Sequence, residues 1–296
     1  YLRIDFRSGY QIEWKVSDDG VAYRFGNLND GETIIRDEEV QFNFAEDCNA
    51  WLPYSTNPKK PEAMAFQNWY TEQKLSEGSD GNLAFLPATV DCGDIKVTIL
   101  ESDLKAYPGM FVEASKGKTS LSGAFARYPK SFDNYRGRVQ RFVTSTENYI
   151  ARHDGARSYP WRVLAIATDD TQMPVNNLVY ALAESSRISD TSWIHPGYSA
   201  WEWWNDWQLT GVDFEAGINM DTYRYYIDFA SRNGLDYVIL DEGWYVPQSG
   251  DMMTPIKELD IPALVKYADD RNVKLILWCV FNVLDDQLDA ACKKYS

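Results

Sequence analysis

The residues best suited to chemistry are two adjacent carboxylates, Asp241 and Glu242, followed by Gly243 and Trp244. They come directly after the apolar run 237–240, whose lack of alternation predicts a strand buried on both faces. In a (β/α) barrel the carboxyl ends of the strands face the active site. Acids beside an aromatic ring suit a sugar-processing pocket, so we interpret Asp241, Glu242 and Trp244 as substrate-binding groups. The alternatives are loop capping for the acids and core packing for Trp244.

A second group of polar and aromatic residues closes the run 199–204, which we also predict as a strand. Alternation along that strand would place Trp203 on the face opposite Glu202. Asn205 and Asp206 then fall at the carboxyl end, where ligands are contacted. We therefore predict Trp203, Asn205 and Asp206 as further substrate-binding residues, with core packing as the alternative for the tryptophan.

Short strands separated by turns fill the first half of the chain. The runs 10–16 and 21–25 flank an Asp-Asp-Gly turn, which is typical of a β-hairpin. Similar runs continue to about residue 157, with Gly, Asn and Asp between them. This pattern predicts antiparallel sheets packed as a β-sandwich or closed as a barrel.

From residue 193 onward strands alternate with helices, which predicts a parallel sheet. The helix 221–233 carries apolar residues at helical spacing, with Asp221 as its expected N-cap and Gly234 as its stop. This region of 296 − 192 = 104 residues holds three strand–helix units, whereas a complete (β/α)8 barrel takes about 250 residues. We expect either a small open sheet or, as the uncapped ending suggests, the first part of a barrel. The predicted organisation is therefore an N-terminal β domain at 1–157, a linker region at 158–192 and an incomplete barrel at 193–296.

Composition limits the classes of partner. The net charge of −15 and the pI near 4.6 argue against nucleic acid and anionic membranes. No apolar run approaches the roughly 18 residues of a membrane span. The four cysteines form no CxxC pair, which disfavours a zinc site, and Cys48 could pair with Cys92. Two histidines are too few to suggest a histidine-based metal site or triad.

Several segments in both halves of the chain match the motifs of one known family. They are GVAYRF (20–25), FQNWYTEQKLSE (66–77), PWRVLAIA (160–167), SWIHPG (192–197), AWEWWNDW (200–207), GINMDTYRYYIDFA (217–230) and YVILDEGW (237–244). On these segments the chain resembles glycoside hydrolase family 97, which contains α-glucosidases and α-galactosidases. The resemblance implies a truncated β-supersandwich followed by the first three units of a catalytic (β/α)8 barrel, in a fragment shortened at both ends.

The loop after the strand 237–240 bears on the mechanism. In the inverting α-glucosidases of the family this loop resembles EGWNxGWE, whereas here it reads EGWYVPQSGD over 242–251. The missing second Glu favours the retaining α-galactosidase branch, whose nucleophile and general acid we expect beyond Ser296. The resemblance thus implies hydrolysis of a terminal α-linked sugar, with an oligosaccharide or α-glycoside as partner. The alternatives are an inverting α-glucosidase and a non-catalytic carbohydrate-binding fragment.

The resemblance also implies a calcium ion and a periplasmic or secreted location. The family's N-terminal YExxY motif reads FQNWY here, so Gln67 stands at the Glu position. An amide oxygen can bind Ca²⁺ but contributes no charge. Gln67 is therefore the candidate metal ligand, and the adjacent Asn68 is the second candidate. The alternative is that Gln67 is a surface amide that binds no metal.

Overall fold

A computed structural model describes residues 1–55, 67–134 and 140–295. Contacts divide the chain into two compact units. Unit 1 comprises residues 1–132 and 143–187, and unit 2 comprises residues 133–142 and 188–296. The predicted domain boundaries stay predictions, although the segment expected to be a linker contains a strand of unit 1.

Within the described part of residues 1–187, seventeen strands precede one short helix. They are β1 (Leu2–Asp5), β2 (Tyr10–Ser17), β3 (Gly20–Asn27), β4 (Glu32–Ile35), β5 (Gln41–Asn43), β6 (Asn49–Leu52), β7 (Thr71–Lys74), β8 (Leu83–Ala84), β9 (Ala88–Asp91), β10 (Lys96–Ser102), β11 (Met110–Ala114), β12 (Ser120–Phe125), β13 (Pro129–Asn134), β14 (Arg141–Thr146), β15 (Ala151–Asp154), β16 (Arg157–Ser158) and β17 (Trp161–Ala167), followed by α1 (Leu178–Leu182).

Unit 1 is built mainly from two antiparallel sheets. Among the described residues, nine strands form one sheet in the order β1-β2-β3-β17-β10-β9-β6-β7, with β16 also paired to β3. A second sheet has the order β5-β12-β11-β8. Leu52 and Ile99 of the first sheet share one buried cluster with Val112 and Leu121 of the second. Because a sheet buries its apolar face against another layer, this shared core confirms the predicted β-sandwich.

Two local predictions in unit 1 are confirmed. Strands β2 and β3 form the expected hairpin, with Ser17 opposite Gly20 at the turn. Cys48 and Cys92 form a disulfide between Cα atoms 4.8 Å apart. The cysteines adjoin β6 and β9, which pair directly, so the cross-link joins neighbouring strands of the large sheet.

Unit 2 alternates strands and helices. Within residues 188–295, three strands pair in parallel in the order β18-β19-β20. Its elements are β18 (Ser199–Trp201), α2 (Met220–Asn233), β19 (Tyr237–Leu240), α3 (Ile261–Asp269), β20 (Lys274–Leu277) and α4 (Phe281–Tyr295).

The sequence of α2 explains both of its ends. Asn219, rather than the predicted Asp221, is the N-cap, because its side chain accepts a hydrogen bond from the backbone N–H of Thr222. Gly234 ends the helix in the left-handed conformation, as predicted. Tyr223 and Ile227 of the apolar face are fully buried against β19 and its neighbours. Within the part of the chain that the structure describes, no helix is long and apolar enough to cross a membrane.

Candidate functional site

The end of β18 differs from the sequence prediction. The strand stops at Trp201, and Glu202–Asn205 form a 3₁₀ turn instead of continuing the strand to residue 204. A 3₁₀ turn rotates successive side chains by about 120° rather than 180°. As a result Glu202 points inward and is 0% exposed, whereas Trp203 is 46% and Trp204 84% exposed.

Asp241 lies where predicted, just past the end of β19, and is buried. One carboxylate oxygen, Oδ2, accepts a hydrogen bond from the indole N–H of Trp201 at 2.6 Å. The other, Oδ1, accepts the backbone N–H of Glu242 at 2.5 Å. A carboxylate has about four lone-pair sites, so Asp241 can still accept hydrogen bonds from a ligand. The ends of β18 and β19 are therefore joined through this acid.

Glu202 also contacts the end of β19, from a buried position. Its Oε1 accepts hydrogen bonds from the backbone N–H of Asp241 at 2.6 Å and from the hydroxyl of Tyr223 at 3.0 Å. Its Oε2 is buried without a hydrogen-bond partner. Burial raises the pKa of Glu202, and the nearby charge of Asp241 raises it further, while the hydrogen bonds that it accepts oppose the rise. Burial and the charge of Glu202 likewise raise the pKa of Tyr223.

Exposed tryptophans surround this strand end. Trp203 stacks on Trp207 with ring centroids 5.7 Å apart and an angle of 23° between the rings. Trp201 and Trp204 form a second pair at 5.9 Å. Flat aromatic faces open to solvent beside a carboxylate can pack on the C–H surfaces of a sugar ring. Trp203 is thus exposed near the end of β18, as are Trp201 and Trp204, and its contact with substrate stays a prediction.

Trp244 does not have the role predicted for it. It is 0% exposed, and its indole N–H donates to the carbonyl oxygen of Trp278 at 2.6 Å. Tyr245 and Tyr295 pack edge-on against its ring. The prediction of a sugar platform is therefore wrong, because both faces of Trp244 are covered in the core of unit 2.

The remaining predicted pocket residues lie around the 3₁₀ turn and the β19 loop. Asn205 is exposed and braces the turn, since its side chain accepts from the hydroxyl of Tyr226 at 2.9 Å and donates to the carbonyl of Gln208 at 2.6 Å. Asp206 is exposed and has a left-handed backbone, with φ of 53°. Glu242 is half-buried beside Asp241. Their contacts with substrate stay predictions.

The predicted metal ligand lies in unit 1. Gln67 is exposed in the segment before β7, and the adjacent Asn68 donates its side-chain amide to the carbonyl of Tyr54 at 2.8 Å. Among residues 1–55, 67–134 and 140–295, no three His, Cys, Asp or Glu side chains are grouped to hold a metal ion. One neutral oxygen from Gln67 does not amount to a calcium site, so the described residues do not by themselves fit the ion.

Sequence reasoning missed Glu202 and Tyr223 as members of this site. The available signal was a single acid inside the aromatic run Trp-Glu-Trp-Trp, since a carboxylate among large apolar residues is either exposed by alternation or buried with partners. Helical spacing places Tyr223 on the apolar face of α2 but does not indicate a partner for its hydroxyl. Its hydroxyl is the partner that Glu202 needs.

Comparison with known proteins matches both halves of the chain. Residues 1–185 match the family described as glycosyl-hydrolase 97 N-terminal, and residues 203–296 match glycoside hydrolase 97. The chain is 42% identical over its whole length to a retaining alpha-galactosidase from Bacteroides thetaiotaomicron, covering 46% of that protein. It is 31% identical over 96% of its length to a probable retaining alpha-galactosidase from Streptomyces bingchenggensis, covering 40% of it.

A solved structure shares the fold. The chain aligns over 97% of its length, with a TM-score of 0.73 and 21% identity, to 42% of a glycoside hydrolase family 97 enzyme in complex with acarbose from Pseudoalteromonas sp. strain K8. The chain thus spans about half the length of the curated relatives that it matches. The family match covers well over half of the chain, and the predicted resemblance is confirmed. The chain belongs to glycoside hydrolase family 97.

Proposed function

We propose that the protein is a retaining α-galactosidase that hydrolyses terminal α-linked galactosides. The observation that carries this proposal is the 42% identity, over the whole chain, to a retaining alpha-galactosidase. A second relative, a probable retaining alpha-galactosidase, supports the same branch. The β19 loop agrees, since it lacks the second Glu expected of the inverting branch.

We also propose that unit 2 is the first part of a (β/α)8 barrel. Three parallel strands alternate with helices in the order that such a barrel requires. A largely apolar groove of about 820 Å³, lined in part by Val265, Leu275 and Leu277, borders the outer strand β20. A further strand and helix packed there would bury these side chains and pair the open edge of β20.

In this proposal the groups at the ends of β18 and β19 bind and orient the sugar. Asp241 accepts hydrogen bonds from sugar hydroxyls with the lone pairs that Trp201 and Glu242 leave free. Trp203 packs on a C–H face of the ring. Glu202 acts indirectly, because it fixes the backbone of Asp241 without reaching solvent. Retention needs two carboxyl groups about 5–5.5 Å apart, and we assign neither of them to the described residues.

An inverting α-glucosidase is the second candidate. The acarbose complex belongs to a family 97 enzyme that shares 21% identity with this chain, so it supports a common fold rather than a common substrate. A non-catalytic carbohydrate-binding role is the third. In both alternatives the tryptophans at the strand ends would still bind sugar. The inverting enzyme differs from the first candidate in the stereochemistry of its product, and the binding role differs in having no turnover.

Calcium assistance and a periplasmic or secreted location remain proposals from the family resemblance. The disulfide between Cys48 and Cys92 supports an oxidising compartment. Gln67 offers one neutral oxygen for calcium, and the other ligands are unassigned. Calorimetric titration of the chelator-treated protein with Ca²⁺ tests the ion, and Gln67→Ala should weaken binding if this residue is a ligand.

Hydrolysis assays test the activity. The protein expressed from its whole reading frame should release 4-nitrophenol from 4-nitrophenyl α-galactoside and much less from the α-glucoside. Asp241→Ala should lower kcat/KM for the galactoside, whereas Asp94→Ala, at an exposed position in unit 1, should not. Preference for the glucoside would support the second candidate, and absence of turnover on both would support the third.

A further inference from the structure

A cleft in unit 1 lies on the face of the large sheet that points away from the core shared with the second sheet. Its volume is about 320 Å³, which falls in the range typical of small-molecule sites. We call it the Trp51 cleft. It is lined by Trp51, Tyr70, Thr89, Asp91, Lys96, Asp170 and Met173.

The strand register places four of these side chains on one face. Trp51 on β6 lies opposite Thr89 on β9, and Lys96 on β10 lies opposite Asp91 on β9. Opposed residues of antiparallel strands share a face, and so do residues two positions apart, such as Thr89 and Asp91. Val90, which lies between those two, points the other way into the buried core. A ligand in the cleft can therefore contact all four side chains at once.

Trp51 and Tyr70 supply the aromatic surface of the cleft. Trp51 is half-buried, and among residues 1–55, 67–134 and 140–295 nothing accepts a hydrogen bond from its indole N–H. Tyr70, just before β7, is 47% exposed, and its hydroxyl donates to the carbonyl oxygen of Pro87 at 3.1 Å, which holds the ring in place. A partly exposed indole with an unused N–H suits the C–H face and the hydroxyls of a sugar ring.

Lys96 lies between two carboxylates in the cleft. Its Nζ is 3.2 Å from Asp170 Oδ1 and 3.7 Å from Asp91 Oδ2. The side chains of Lys96 and Asp91 are only 17% and 24% exposed, so their positions are restricted by the surrounding sheet. The hydroxyl of Thr89 lies 3.0 Å from that of Thr98. The cleft thus presents hydrogen-bond donors and acceptors side by side.

This mixture of charges favours a neutral ligand with several hydroxyls. An anion would be repelled by the two carboxylates, and a cation by the ammonium group of Lys96. A sugar hydroxyl both donates and accepts, so it can bond to the ammonium group and to a carboxylate without adding charge.

We propose that the Trp51 cleft is a second carbohydrate site, which binds a neutral pyranose sugar. The C–H face of the ring packs on Trp51, while its hydroxyls accept from Lys96 and donate to Asp91 or Asp170. This site goes beyond the proposed hydrolase activity and does not depend on it, since the site belongs to unit 1 and requires no reaction.

Indole NMR tests the site directly. In the protein expressed from its whole reading frame and ¹⁵N-labelled at tryptophan, the Trp51 N–H resonance is assigned by its absence from the spectrum of Trp51→Phe. Titration with D-galactose or D-glucose should shift this resonance saturably. The indole resonance of Trp14, assigned in the same way through Trp14→Phe, is the matched control. Trp14 is also half-buried in the large sheet but does not line the cleft, so its resonance should not move.

Two related ligands test the chemistry of recognition. Galactitol, the open-chain alditol of galactose, should bind about threefold or more weakly, because it has no ring face to pack on Trp51. D-Galacturonate should also bind more weakly than D-galactose, because its carboxylate meets Asp91 and Asp170. Tighter binding of D-galacturonate than of D-galactose would contradict the choice of a neutral ligand.

A lysine substitution separates a binding role from a structural one. Lys96→Met should raise the apparent Kd measured at Trp51 by about two- to tenfold, because it removes a hydrogen-bond donor to the sugar. Lys130→Met, at a lysine that is 60% exposed and outside the cleft, should leave that Kd unchanged. A purely structural Lys96 would lower the thermal midpoint without changing the Kd, and that result would contradict the proposed contact.

Binding at the Trp51 cleft must also be distinguished from binding at the candidate site in unit 2. The Trp51 shift should persist in Asp241→Ala, since Asp241 belongs to the other site. A sugar titration that leaves the Trp51 resonance unmoved, or that moves the Trp14 resonance equally, would overturn the proposal. Failure of galactoside hydrolysis would leave the Trp51 shift intact, so the two proposals fail independently.

Discussion

Both units of the molecule bury carboxylates, but the groups that bond to these carboxylates differ between the two units. In unit 1, Glu38 and Glu101 both bond to the guanidinium of Arg162, which is 1% exposed. In unit 2, Glu202 accepts from a backbone N–H and a tyrosine hydroxyl, and among the described residues no ion pair includes it. Burial raises the pKa of both Glu101 and Glu202, but Arg162 opposes the rise only at Glu101.

The ion pairs of Arg162 stabilise the fold of unit 1, whereas the hydrogen bonds of Glu202 position residues of the candidate site in unit 2. Arg162 links β17 to β10 and to the segment before β5, so its two acids hold together distant parts of unit 1. Glu202 links only the ends of β18, α2 and β19, where Asp241 is oriented. A carboxylate paired with a cation needs its charge, whereas one held by neutral donors needs only an acceptor oxygen.

The largest expected effect comes from breaking the ion cluster. Arg162→Met should lower the free energy of unfolding by about 3–5 kcal/mol, because it leaves two buried carboxylates without a cation. Urea denaturation followed by circular dichroism measures the loss. Arg152→Met is the matched control: its guanidinium is half exposed and lies 3.9 Å from Glu32, so its removal should change little. Equal losses for both variants would contradict the contrast.

Amide substitutions sharpen the comparison between the two sites. Glu38→Gln should cost about 1.5–3 kcal/mol, because it removes the charge that pairs with Arg162. Glu202→Gln should cost less than about 1 kcal/mol, since an amide oxygen can still accept from Asp241 and Tyr223. Both values come from the same urea titrations. A larger loss at Glu202 than at Glu38 would show that Glu202 is needed as an anion.

Aromatic truncations should separate binding from folding. Trp203→Ala should raise KM for an α-galactoside by about three- to tenfold with little change in kcat, because packing on a sugar face stabilises substrate and transition state alike. Its stability should change less than that of a core variant, since Trp203 is 46% exposed. Phe125→Ala should show the reverse, because the guanidinium of Arg162 stacks 4.9 Å from that ring within unit 1. Steady-state kinetics and thermal melts on both variants provide the check.

The smallest expected effect is a pH dependence. The folded-state pKa of Glu202 is raised above its ordinary value of 4.5, so the folded chain holds that proton more tightly than the unfolded chain. Its contribution is therefore complete below about pH 4.5 and is lost as the pH rises through the folded pKa. The difference in the free energy of unfolding between the unmodified protein and Glu202→Gln should therefore decrease as the pH rises. Glu184, whose pKa is lowered by a hydrogen bond from Lys105, should give the opposite slope in Glu184→Gln.

Patterns within a few residues of each other predicted much of the fold. The hairpin of β2 and β3, the helix α2 and the strand β19 follow from local periodicity and turn residues. The run Trp-Glu-Trp-Trp was predicted as a strand because alternation alone does not distinguish it from a 3₁₀ turn.

Features made by distant residues could not be read from the sequence. Glu38, Glu101 and Arg162 come from separate parts of unit 1, and no local pattern brings them together. Whether Trp244 faces a pocket or the core depends on Tyr295, about fifty positions away. The contacts that decide burial are therefore set by the assembled sheets and helices.

The stereochemistry of hydrolysis tests the proposed function most directly. Proton NMR of the protein expressed from its whole reading frame, recorded during the first minutes of reaction with an α-galactoside, identifies the anomer formed before mutarotation. Retention predicts that α-galactose appears first and the β-anomer grows in later. Initial formation of β-galactose would contradict the account.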